Sequence, residues 1–414
     1  MSEKLSATLR VGDLNDFIAP SQSCIVSLKG YKPAPKPERV SHRNQDKATP
    51  NLSQSPSEPV KVTLHDCLAC RYQIPPLFFL SRSFFCVFWK LTQFFKSLGV
   101  KAVFDTSCSR DLALIEACDE FITRYNQHLA TYDQECVPTL PMLSSACPGW
   151  ICYAEKTLGS YILPYISTVR SPQQSTGSVI KHHICWKLGL TPDKVYHVSV
   201  MPCYDKKLEA SRDDYVFSMG RQGETGQEAA GPRIAEVDSV LTTGEVLDLI
   251  KLKSCDFRSL EEAPLDRLLT NVDEEGHLYG VQGGFGGYAD TIFLCAAKRL
   301  FGKDMQGPVE FKILGNTDFR EATLEVDGKI VLKFVLCYGF RNLQNIVRKI
   351  KTGKSDYHFA DVVACPSGVR VADPFENPLV KGIYDEWLGQ TGSEKAKKYI
   401  HTEYHPRASS MAFN

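Results

Sequence analysis

The sequence has no excess of charge of either sign. Its 414 residues include 48 lysines and arginines and 48 aspartates and glutamates, so the formal net charge is zero. Proteins that bind a nucleic-acid backbone or an anionic membrane surface carry a positive patch or a positive balance. The composition therefore gives no support to nucleic acid or a membrane as a partner, and we expect neither.

The sequence also lacks an uninterrupted apolar run long enough to cross a bilayer. The nearest candidate, residues 74–95, opens with a Pro-Pro pair and is broken by Arg82 and Lys90. A charge in the middle of a membrane helix costs roughly 2.5–3.5 kcal/mol, so we predict a buried helix over 84–95 instead. The start of the chain is polar and has no apolar secretion signal. We therefore expect a cytosolic protein, with a nuclear pool as a further expectation.

Closed zinc and nucleotide motifs are missing as well. The chain has one CxxC, at Cys67 and Cys70, and no second CxxC that would complete a tetrahedral zinc site. The glycine-rich stretch 281–290 has neither the GxGxxG form nor a Walker lysine, and we interpret it as the entry turn of a helix over 288–300. Cysteine, in contrast, is abundant, with fifteen residues. Without secretion, metal ligation or free buried thiols explain this number better than disulfides do.

Three cysteines far apart in the chain each stand in a short turn-forming loop. They are Cys147 in SACPGW, Cys203 in MPCYDKKLE and Cys365 in ACPSG. Apolar segments precede these loops, and we predict strands over 195–202 and 357–366. Open α/β sheets place their ligands beyond the carboxyl ends of strands, and thiolates that project from rigid turns suit zinc or iron–sulfur clusters. The pattern predicts a metal–sulfur centre on an α/β fold.

A second group of cysteines lies near the N-terminus. Cys24 precedes, and Cys67 and Cys70 follow, a segment over 31–60 that is rich in proline, serine and charge. Such a segment buries too little apolar surface to offset its ordering entropy, so we predict a flexible linker. A metal shared by the three thiols would close the linker into a loop at a modest entropic cost. The CxxC alone leaves three readings open: half a zinc knuckle, a redox dithiol or part of a cluster site.

From residue 100 onward, apolar strands alternate with helices. A short strand is predicted over 101–107 and a helix over 110–128. Asp205 is expected at a solvated loop edge. The remaining cysteines in apolar or helical runs are predicted to be small buried side chains without a role: Cys118, Cys152, Cys185, Cys295 and Cys337.

The three cysteine loops resemble, in order and approximate spacing, those of the iron-only hydrogenase large subunit. SPQQ at 171–174, LTTGE at 241–245 and CYGFRN at 337–342 extend the match. The chain is similar to the Narf-like (nuclear prelamin A recognition factor-like) branch of that family. The resemblance covers residues 9–30, 62–70 and nearly all of 94–368.

This resemblance implies an α/β, two-lobed iron-only hydrogenase large-subunit-like fold behind a cysteine-bearing N-terminal segment. We divide the chain accordingly into an N-terminal segment 1–30 with Cys24, a flexible linker 31–60, a CxxC segment with an atypical apolar stretch 61–95, a two-lobed domain 96–368, and an atypical C-terminal helix and tail 369–414.

The resemblance also implies up to two [4Fe–4S] clusters. The matching ligands are Cys147, Cys203 and Cys365 for a cluster in the cleft between the lobes, and Cys24, Cys67 and Cys70 for an N-terminal cluster. Gln73 and Val369 occupy the positions of the fourth cysteines. Each site then supplies three thiolates where a cubane takes four. We therefore expect each cluster to be incomplete or labile, in a variant form of the family altered over 71–90 and from 369 onward.

Lys206 and Glu209 match residues that lie beside the cleft cluster in the family, where they would tune it and balance its charge. Hydrogenase activity is not expected. Ala146 stands where hydrogenases carry a proton-donating cysteine, and Val369 replaces the cysteine that bridges to the catalytic di-iron group.

By resemblance, the chain is a non-enzymatic component of cytosolic iron–sulfur protein assembly. It would bind [4Fe–4S] clusters and help deliver them to apo-proteins through a targeting complex of a WD40 propeller protein, a small adaptor and a HEAT-repeat scaffold. The alternative is an interaction or regulatory protein, of prelamin-binding type or deficient in clusters, which Gln73 and Val369 favour. A hydrogenase-type redox enzyme is a third hypothesis.

Overall fold

The computed structural model describes residues 82–130, 140–201, 203–219, 232–270, 287–305, 309–363, 375 and 377–407; within the first helix it describes side chains from residue 87 onward. The helices are α1 Arg82–Ser97, α2 Ser107–Ala130, α3 Pro148–Tyr153, α4 Pro172–Ser178, α5 Cys185–Lys187, α6 Asp205–Ala210, α7 Thr243–Leu252, α8 Tyr288–Phe301, α9 Phe340–Lys351, α10 Pro378–Ile383 and α11 Glu394–Ile400. The strands are β1 Met142–Ser144, β2 Val198–Met201, β3 Val216–Ser218, β4 Arg233–Ala235, β5 Ser239–Thr242, β6 Lys312–Leu314, β7 Asn316–Val326, β8 Lys329–Tyr338 and β9 Phe359–Val363.

Three π-helical segments, Ala154–Leu158, Val179–Ile184 and Tyr384–Leu388, extend α3, α4 and α10. None of the helices in the described ranges combines the length and the apolar composition that a membrane crossing requires.

The largest sheet has five strands in the order β1-β9-β8-β7-β6. β1, β9 and β8 run parallel, with Met142 opposite Phe359 and Phe359 opposite Phe334, whereas β7 and β6 continue the sheet antiparallel. Because β1 and β9 are parallel neighbours, their carboxyl ends lie at the same edge. The loop of Cys147 leaves from that edge, and Cys365 follows the end of β9 by two residues in the sequence.

The two faces of this sheet pack on different helices because the side chains of β8 alternate. Phe334 joins the core formed with α2 and α8, where its ring lies 5.0 Å from Phe121 and 5.1 Å from Phe293, measured between centroids. Val335, the next residue, points to the opposite face, where α3 and α9 contribute Trp150 and Leu343. The sheet is therefore covered on both faces at β8 and β9, whereas β6 at its edge is exposed.

A smaller parallel sheet pairs β2 with β5. The LTTGE segment forms the junction between β5 and α7, and it builds a capping box: the Thr242 hydroxyl accepts from the Glu245 backbone N–H, and the Glu245 carboxylate accepts from the Thr242 backbone N–H. α7 packs on α1 through Val246, Ile250 and the fully buried Phe94. This sheet carries Cys203, so the two cysteine loops that the structure describes come from two different sheets.

Most of the predicted elements are confirmed. The helix expected over 84–95 is α1, the helix over 110–128 is α2, and the helix over 288–300 is α8. The strands expected before Cys203 and Cys365 are β2 and β9. The strand predicted over 101–107 is wrong: residues 101–106 form an irregular loop and Ser107 begins α2. In this loop the Val103 backbone N–H donates to the Asp266 carboxylate, and the Val103 carbonyl oxygen accepts from the Asp266 backbone N–H.

Candidate metal centre

The loop of Cys147 is fixed to the carboxyl end of the large sheet. The Ser145 hydroxyl donates to the carbonyl oxygen of Val362 on β9, and the Cys147 backbone N–H donates to that hydroxyl oxygen at 3.1 Å. Pro148 then starts α3, with Cys147 as the residue before the helix. The half-buried Cys147 is thus held beside the end of the strand that leads to Cys365.

The loop of Cys203 joins β2 to α6. The Lys206 backbone N–H donates to the Cys203 carbonyl oxygen at 3.4 Å, which closes the first turn. Burial raises the pKa of the Cys203 thiol to about 11, while the nearby Lys206 charge opposes this rise and the Cys147 thiol adds to it.

A close approach between α3 and α6 joins the two loops. A β-carbon on Gly149 would lie 2.6 Å from a carboxylate oxygen of Asp205 and 3.9 Å from the Cys147 sulfur. Asp205 is therefore not the solvated loop residue that the sequence predicted; it is half-buried, and burial raises the pKa of its carboxyl. The glycine in the SACPGW motif is the sequence signal for this contact, since any side chain at this position would displace the Asp205 carboxylate.

Lys206 and Glu209 form a buried ion pair beside Cys203. Their nitrogen–oxygen distance is 2.8 Å, and each side chain is only 10% exposed. The amide of Gln173 on α4 donates to the carbonyl oxygen of Lys206 at 3.0 Å and to the Glu209 carboxylate at 3.3 Å. The SPQQ motif thus anchors the helix that follows Cys203.

The helix α4 also buries polar atoms that have no hydrogen-bond partner within the described residues. They include Gln173 Oε1, Gln174 Nε2 and Ser175 Oγ. Buried polar groups are nearly always satisfied, so each such atom needs an explanation. The resemblance pointed to this motif but assigned no role to its two glutamines; the structure places one of them against Lys206 and Glu209.

The structure brings together four of the predicted site residues: Cys147, Cys203, Lys206 and Glu209. The predicted ligands Cys24, Cys67, Cys70 and Cys365, and the substituted positions Gln73 and Val369, lie outside the described residues. Within the part of the chain that is described, no group of three or more His, Cys, Asp or Glu side chains is arranged to hold a metal ion.

Two family models match the chain in succession. Residues 67–369 match the iron only hydrogenase large subunit, C-terminal domain, and residues 367–407 match the iron hydrogenase small subunit. The second match takes in α10 and α11.

Curated relatives match over nearly the whole chain. Protein NAR1 of Arabidopsis thaliana is 51% identical, over 99% of this chain and 98% of the relative. The cytosolic Fe-S cluster assembly factor narfl of Xenopus tropicalis and the cytosolic iron-sulfur assembly component 3 of Mus musculus are each 38% identical, over 98% of this chain and 97% of the relative. The alignment with the Arabidopsis protein spans 486 positions against the 414 residues here. At least 72 positions of that relative therefore have no counterpart in this chain.

Solved structures of [FeFe]-hydrogenases share the fold. The apo form of a variant of HydA1 from Chlamydomonas reinhardtii is 23% identical, with a TM-score of 0.63 over 77% of this chain and 88% of that chain. A second variant of the same hydrogenase is 24% identical, with a TM-score of 0.63 over 78% of this chain and 88% of that chain. The α/β hydrogenase-like fold predicted from the sequence is confirmed. The chain belongs to the iron-only hydrogenase family, in the branch of NAR1 and the narfl-type cytosolic Fe-S cluster assembly factors.

Proposed function

We propose that this chain is a non-enzymatic factor of cytosolic iron–sulfur protein assembly. It holds a [4Fe–4S] cluster at Cys147, Cys203 and Cys365 and helps pass clusters to apo-proteins. The approach of the Cys147 and Cys203 loops from two different sheets carries this proposal. Cys365 follows β9, the parallel neighbour of β1, by two residues, so its loop starts from the edge where Cys147 stands.

The side chains of this region suit an iron–sulfur cluster. Both cysteines are half-buried on strand-end loops, and thiolates are the ligands that such clusters take. The raised pKa of the Cys203 thiol keeps it protonated at neutral pH in the absence of iron, and ligation replaces that proton. Lys206 supplies a positive charge close to the developing thiolate. A bound cluster would either stay on this chain as its cofactor or be passed on, with its iron and sulfide, to an apo-protein.

A second cluster at Cys24, Cys67 and Cys70 is the other half of the proposal. We give this N-terminal cluster less weight than the cleft cluster for two reasons. Its three thiols come from the two ends of a linker over 31–60 and must meet, and Gln73 occupies the position of the fourth cysteine. Three thiolates leave one iron of a cubane to be bound by another ligand. Both clusters are therefore proposed to be labile to chelators.

The proposed partners are the components of the targeting complex: a WD40 propeller protein, a small adaptor and a HEAT-repeat scaffold. The names of the curated relatives, which describe cytosolic assembly factors, support participation in cytosolic iron–sulfur assembly and a cytosolic location. The three named partners rest on the family resemblance, and a nuclear pool is a finer proposal. Ala146, next to Cys147, offers no group that could carry a proton to a substrate. This supports a role without turnover.

Iron content tests the cleft site. The chain is reconstituted with iron and sulfide without oxygen, and we expect Cys203→Ala to lose the iron of one cluster, roughly four atoms per chain when that cluster is complete. Cys255→Ala is the matched control, because Cys255 is also half-buried but packs against the hydrophobic side chains between α1 and α7, away from the proposed metal site. If Cys203→Ala retains as much iron as Cys255→Ala, Cys203 is not a ligand.

The assembly role is tested by transfer. The reconstituted chain is mixed with an apo-form of a [4Fe–4S] protein, and appearance of the client's activity is expected to require Cys203. Affinity capture from cytosol distinguishes the alternative, an interaction protein of prelamin-binding type or one deficient in clusters, which Gln73 and Val369 favour. Recovery of lamin without any assembly component would support that alternative and contradict the assembly role.

A further inference from the structure

Two helices that pack against each other bring a pair of cysteines into contact. Cys118 lies on α2 and Cys295 on α8, and the Cys118 thiol is hydrogen-bonded to the Cys295 sulfur. Cys118 is fully buried, as the sequence predicted, whereas Cys295 is half-buried at the edge of the same core, where the sequence predicted a buried side chain. Neither residue belongs to the proposed cluster sites. The pair therefore needs an account of its own.

The contact between α2 and α8 includes large and small side chains. The ring of Tyr125 on α2 lies 5.9 Å from the ring of Phe301 on α8, and Ala113 and Ala117 on α2 and Ala289 and Ala296 on α8 are buried in the same core. The distance between packed helices depends on the side chains at their contact, and small ones allow close approach. Because the thiols already form a hydrogen bond, a short movement of the two sulfur atoms would reach the 2.03–2.05 Å of a disulfide bond.

A positive charge stands beside the more exposed thiol. Arg299, one turn after Cys295 on α8, is hydrogen-bonded to the Cys295 sulfur and also reaches Asp119 on α2 at 3.4 Å. The hydrogen bond from Cys118 and then the Arg299 guanidinium lower the pKa of the Cys295 thiol, although burial opposes them. Reactive cysteines have this surrounding: an accessible thiol next to a cation, with a second cysteine in reach.

We propose that Cys118 and Cys295 form a redox dithiol site, which a low-molecular-weight disulfide such as oxidised glutathione converts into a disulfide that joins α2 to α8. The Cys295 thiolate attacks one sulfur of glutathione disulfide, and one glutathione leaves as its thiolate. The Cys118 sulfur then attacks the Cys295 sulfur, and the second glutathione leaves. The protein loses two protons and two electrons, and one glutathione disulfide becomes two molecules of glutathione.

Peptide mapping tests the proposal on the full chain. The protein is purified without oxygen, exposed to glutathione disulfide at increasing ratios, blocked with N-ethylmaleimide and digested with trypsin without reductant. Cleavage yields peptides 111–124 and 268–298, and each contains a single cysteine of the pair. We expect these two peptides linked, at a mass lower by two hydrogen atoms than their sum, and we expect dithiothreitol to separate them.

Three variants and a control cysteine test the proposed order of reaction, in which Cys295 attacks glutathione disulfide first and Cys118 then attacks the Cys295 sulfur. Cys118→Ser is expected to stop the reaction at the mixed disulfide, so that peptide 268–298 carries one glutathione. Cys295→Ser is expected to leave peptide 111–124 unmodified, and Arg299→Gln to slow the alkylation of Cys295 by about threefold to tenfold. The control within the same chain is Cys185, which is buried and whose thiol pKa is raised by burial. Its alkylation in the wild-type chain is expected to be at least about tenfold slower than that of Cys295.

Two results would overturn the proposal. One is a wild-type chain in which peptides 111–124 and 268–298 stay unlinked at every glutathione ratio. The other is alkylation of Cys295 as slow as that of Cys185. Both are read on the wild-type protein, so the conclusion does not depend on the folding of a variant. The mapping also needs no cluster, so its outcome is independent of the proposed assembly function.

Discussion

The guanidinium of Arg212 donates two hydrogen bonds to the carboxylate of Glu155, at 2.9 and 2.8 Å, and both side chains are almost completely buried. Glu155 follows α3, whereas Arg212 follows α6, so the pair joins the two helices whose first turns carry the cysteine loops. The segment 401–407 contacts the same pair, because the backbone N–H of Arg407 donates to the Glu155 carbonyl oxygen at 3.1 Å.

Removing one partner of this pair is expected to destabilise the fold strongly. Glu155→Gln leaves the Arg212 charge buried with reduced pairing, which typically costs about 3–5 kcal/mol of the free energy of unfolding. Urea unfolding measures this cost. The control is Glu394→Gln, since the Glu394 side chain is 93% exposed in its pair with Lys397 and the change there should be below about 0.5 kcal/mol. Equal midpoints for the two variants would contradict the prediction.

A glycine in α4 is expected to tolerate no side chain. A β-carbon on Gly177 would lie 2.8 Å from the carbonyl oxygen of Glu236 and 2.8 Å from a methyl group of Val237. Because a backbone atom cannot turn away as a side chain can, Gly177→Ala should cost about 1–3 kcal/mol of the free energy of unfolding. It should also weaken iron retention, since α4 carries Gln173, whose amide donates a hydrogen bond to the backbone carbonyl oxygen of Lys206.

Gly382→Ala is the matched substitution. Gly382 lies inside α10, and among the described residues no atom outside the backbone of its own helix and its chain neighbours lies within 4 Å of the position of its β-carbon. Alanine is a better helix former than glycine by about 0.8–1 kcal/mol, so this variant should be slightly more stable than the wild type. Thermal unfolding of the two variants in parallel gives the comparison, and a loss of stability in both would show that crowding at Gly177 is not the cause.

Local sequence patterns predicted much of this fold because they report local constraints. The turn residues around Cys147 and Cys203, and the apolar segments before them, indicated strand-end loops, and the structure has both. The same reasoning failed over 101–107, where the sequence is rich in β-forming residues. There the backbone of Val103 bonds to Asp266, a partner remote in sequence that no local pattern identifies.

Contacts between helices were the other part that the sequence did not reveal. Cys118 and Cys295 each stand in an ordinary apolar helical pattern, and their pairing depends on how α2 and α8 pack. Asp205 likewise looked like a solvated acidic residue, because the glycine that makes room for it, Gly149, belongs to a different motif. Motif matching placed the residues of the cleft site in the chain, whereas the packing of α3, α4 and α6 determines what surrounds them.

Asp361 is expected to make stability depend on pH. Burial raises the pKa of its carboxyl to about 7, although the hydrogen bond from the Tyr338 hydroxyl, at 3.1 Å, opposes the rise. The unfolded chain releases this proton near pH 4 and the folded chain near pH 7. The stabilising contribution of the protonated form is thus complete below about pH 4 and is lost as the pH rises to about 7.

Asp361→Asn removes this titration and leaves an oxygen to accept from Tyr338. The free energy of unfolding of the variant, relative to the wild type, should therefore increase by about 2–3 kcal/mol from pH 5 to pH 8, measured by urea unfolding. Asp356→Asn is the control, because Lys333 lowers the pKa of the Asp356 carboxyl against the effect of burial. This carboxyl therefore titrates below pH 5 in both the folded and the unfolded chain, and the difference between Asp356→Asn and the wild type should stay constant from pH 5 to pH 8. A pH-independent difference between Asp361→Asn and the wild type would refute the prediction.

The neighbouring residues Lys206 and Lys207 allow two effects on the proposed cluster to be separated. Removing the Lys206 charge tests a buried cation beside the Cys203 loop, and removing the Lys207 charge tests an exposed cation on the same helix. Lys206 is buried and paired with Glu209, whereas Lys207 is 38% exposed and paired with Glu245 at 2.7 Å. Both lysines lie in α6, and a change to glutamine removes one positive charge in either case. Only the first change leaves the Glu209 carboxylate buried without its cation, in the helix that follows the Cys203 loop.

Lys206→Gln is therefore expected to release iron to a chelator about fivefold to tenfold faster than the wild type, because a negative thiolate site loses its nearest cation. Lys207→Gln should release iron within about twofold of the wild-type rate, since exposed ion pairs contribute little. The measurement is the decay of the thiolate-to-iron charge-transfer absorbance of the cluster after a chelator is added in the absence of oxygen. Far-ultraviolet circular dichroism of both apo-proteins checks that α6 is retained. If both variants release iron at the same rate, the buried position of Lys206 has no particular influence on the cluster.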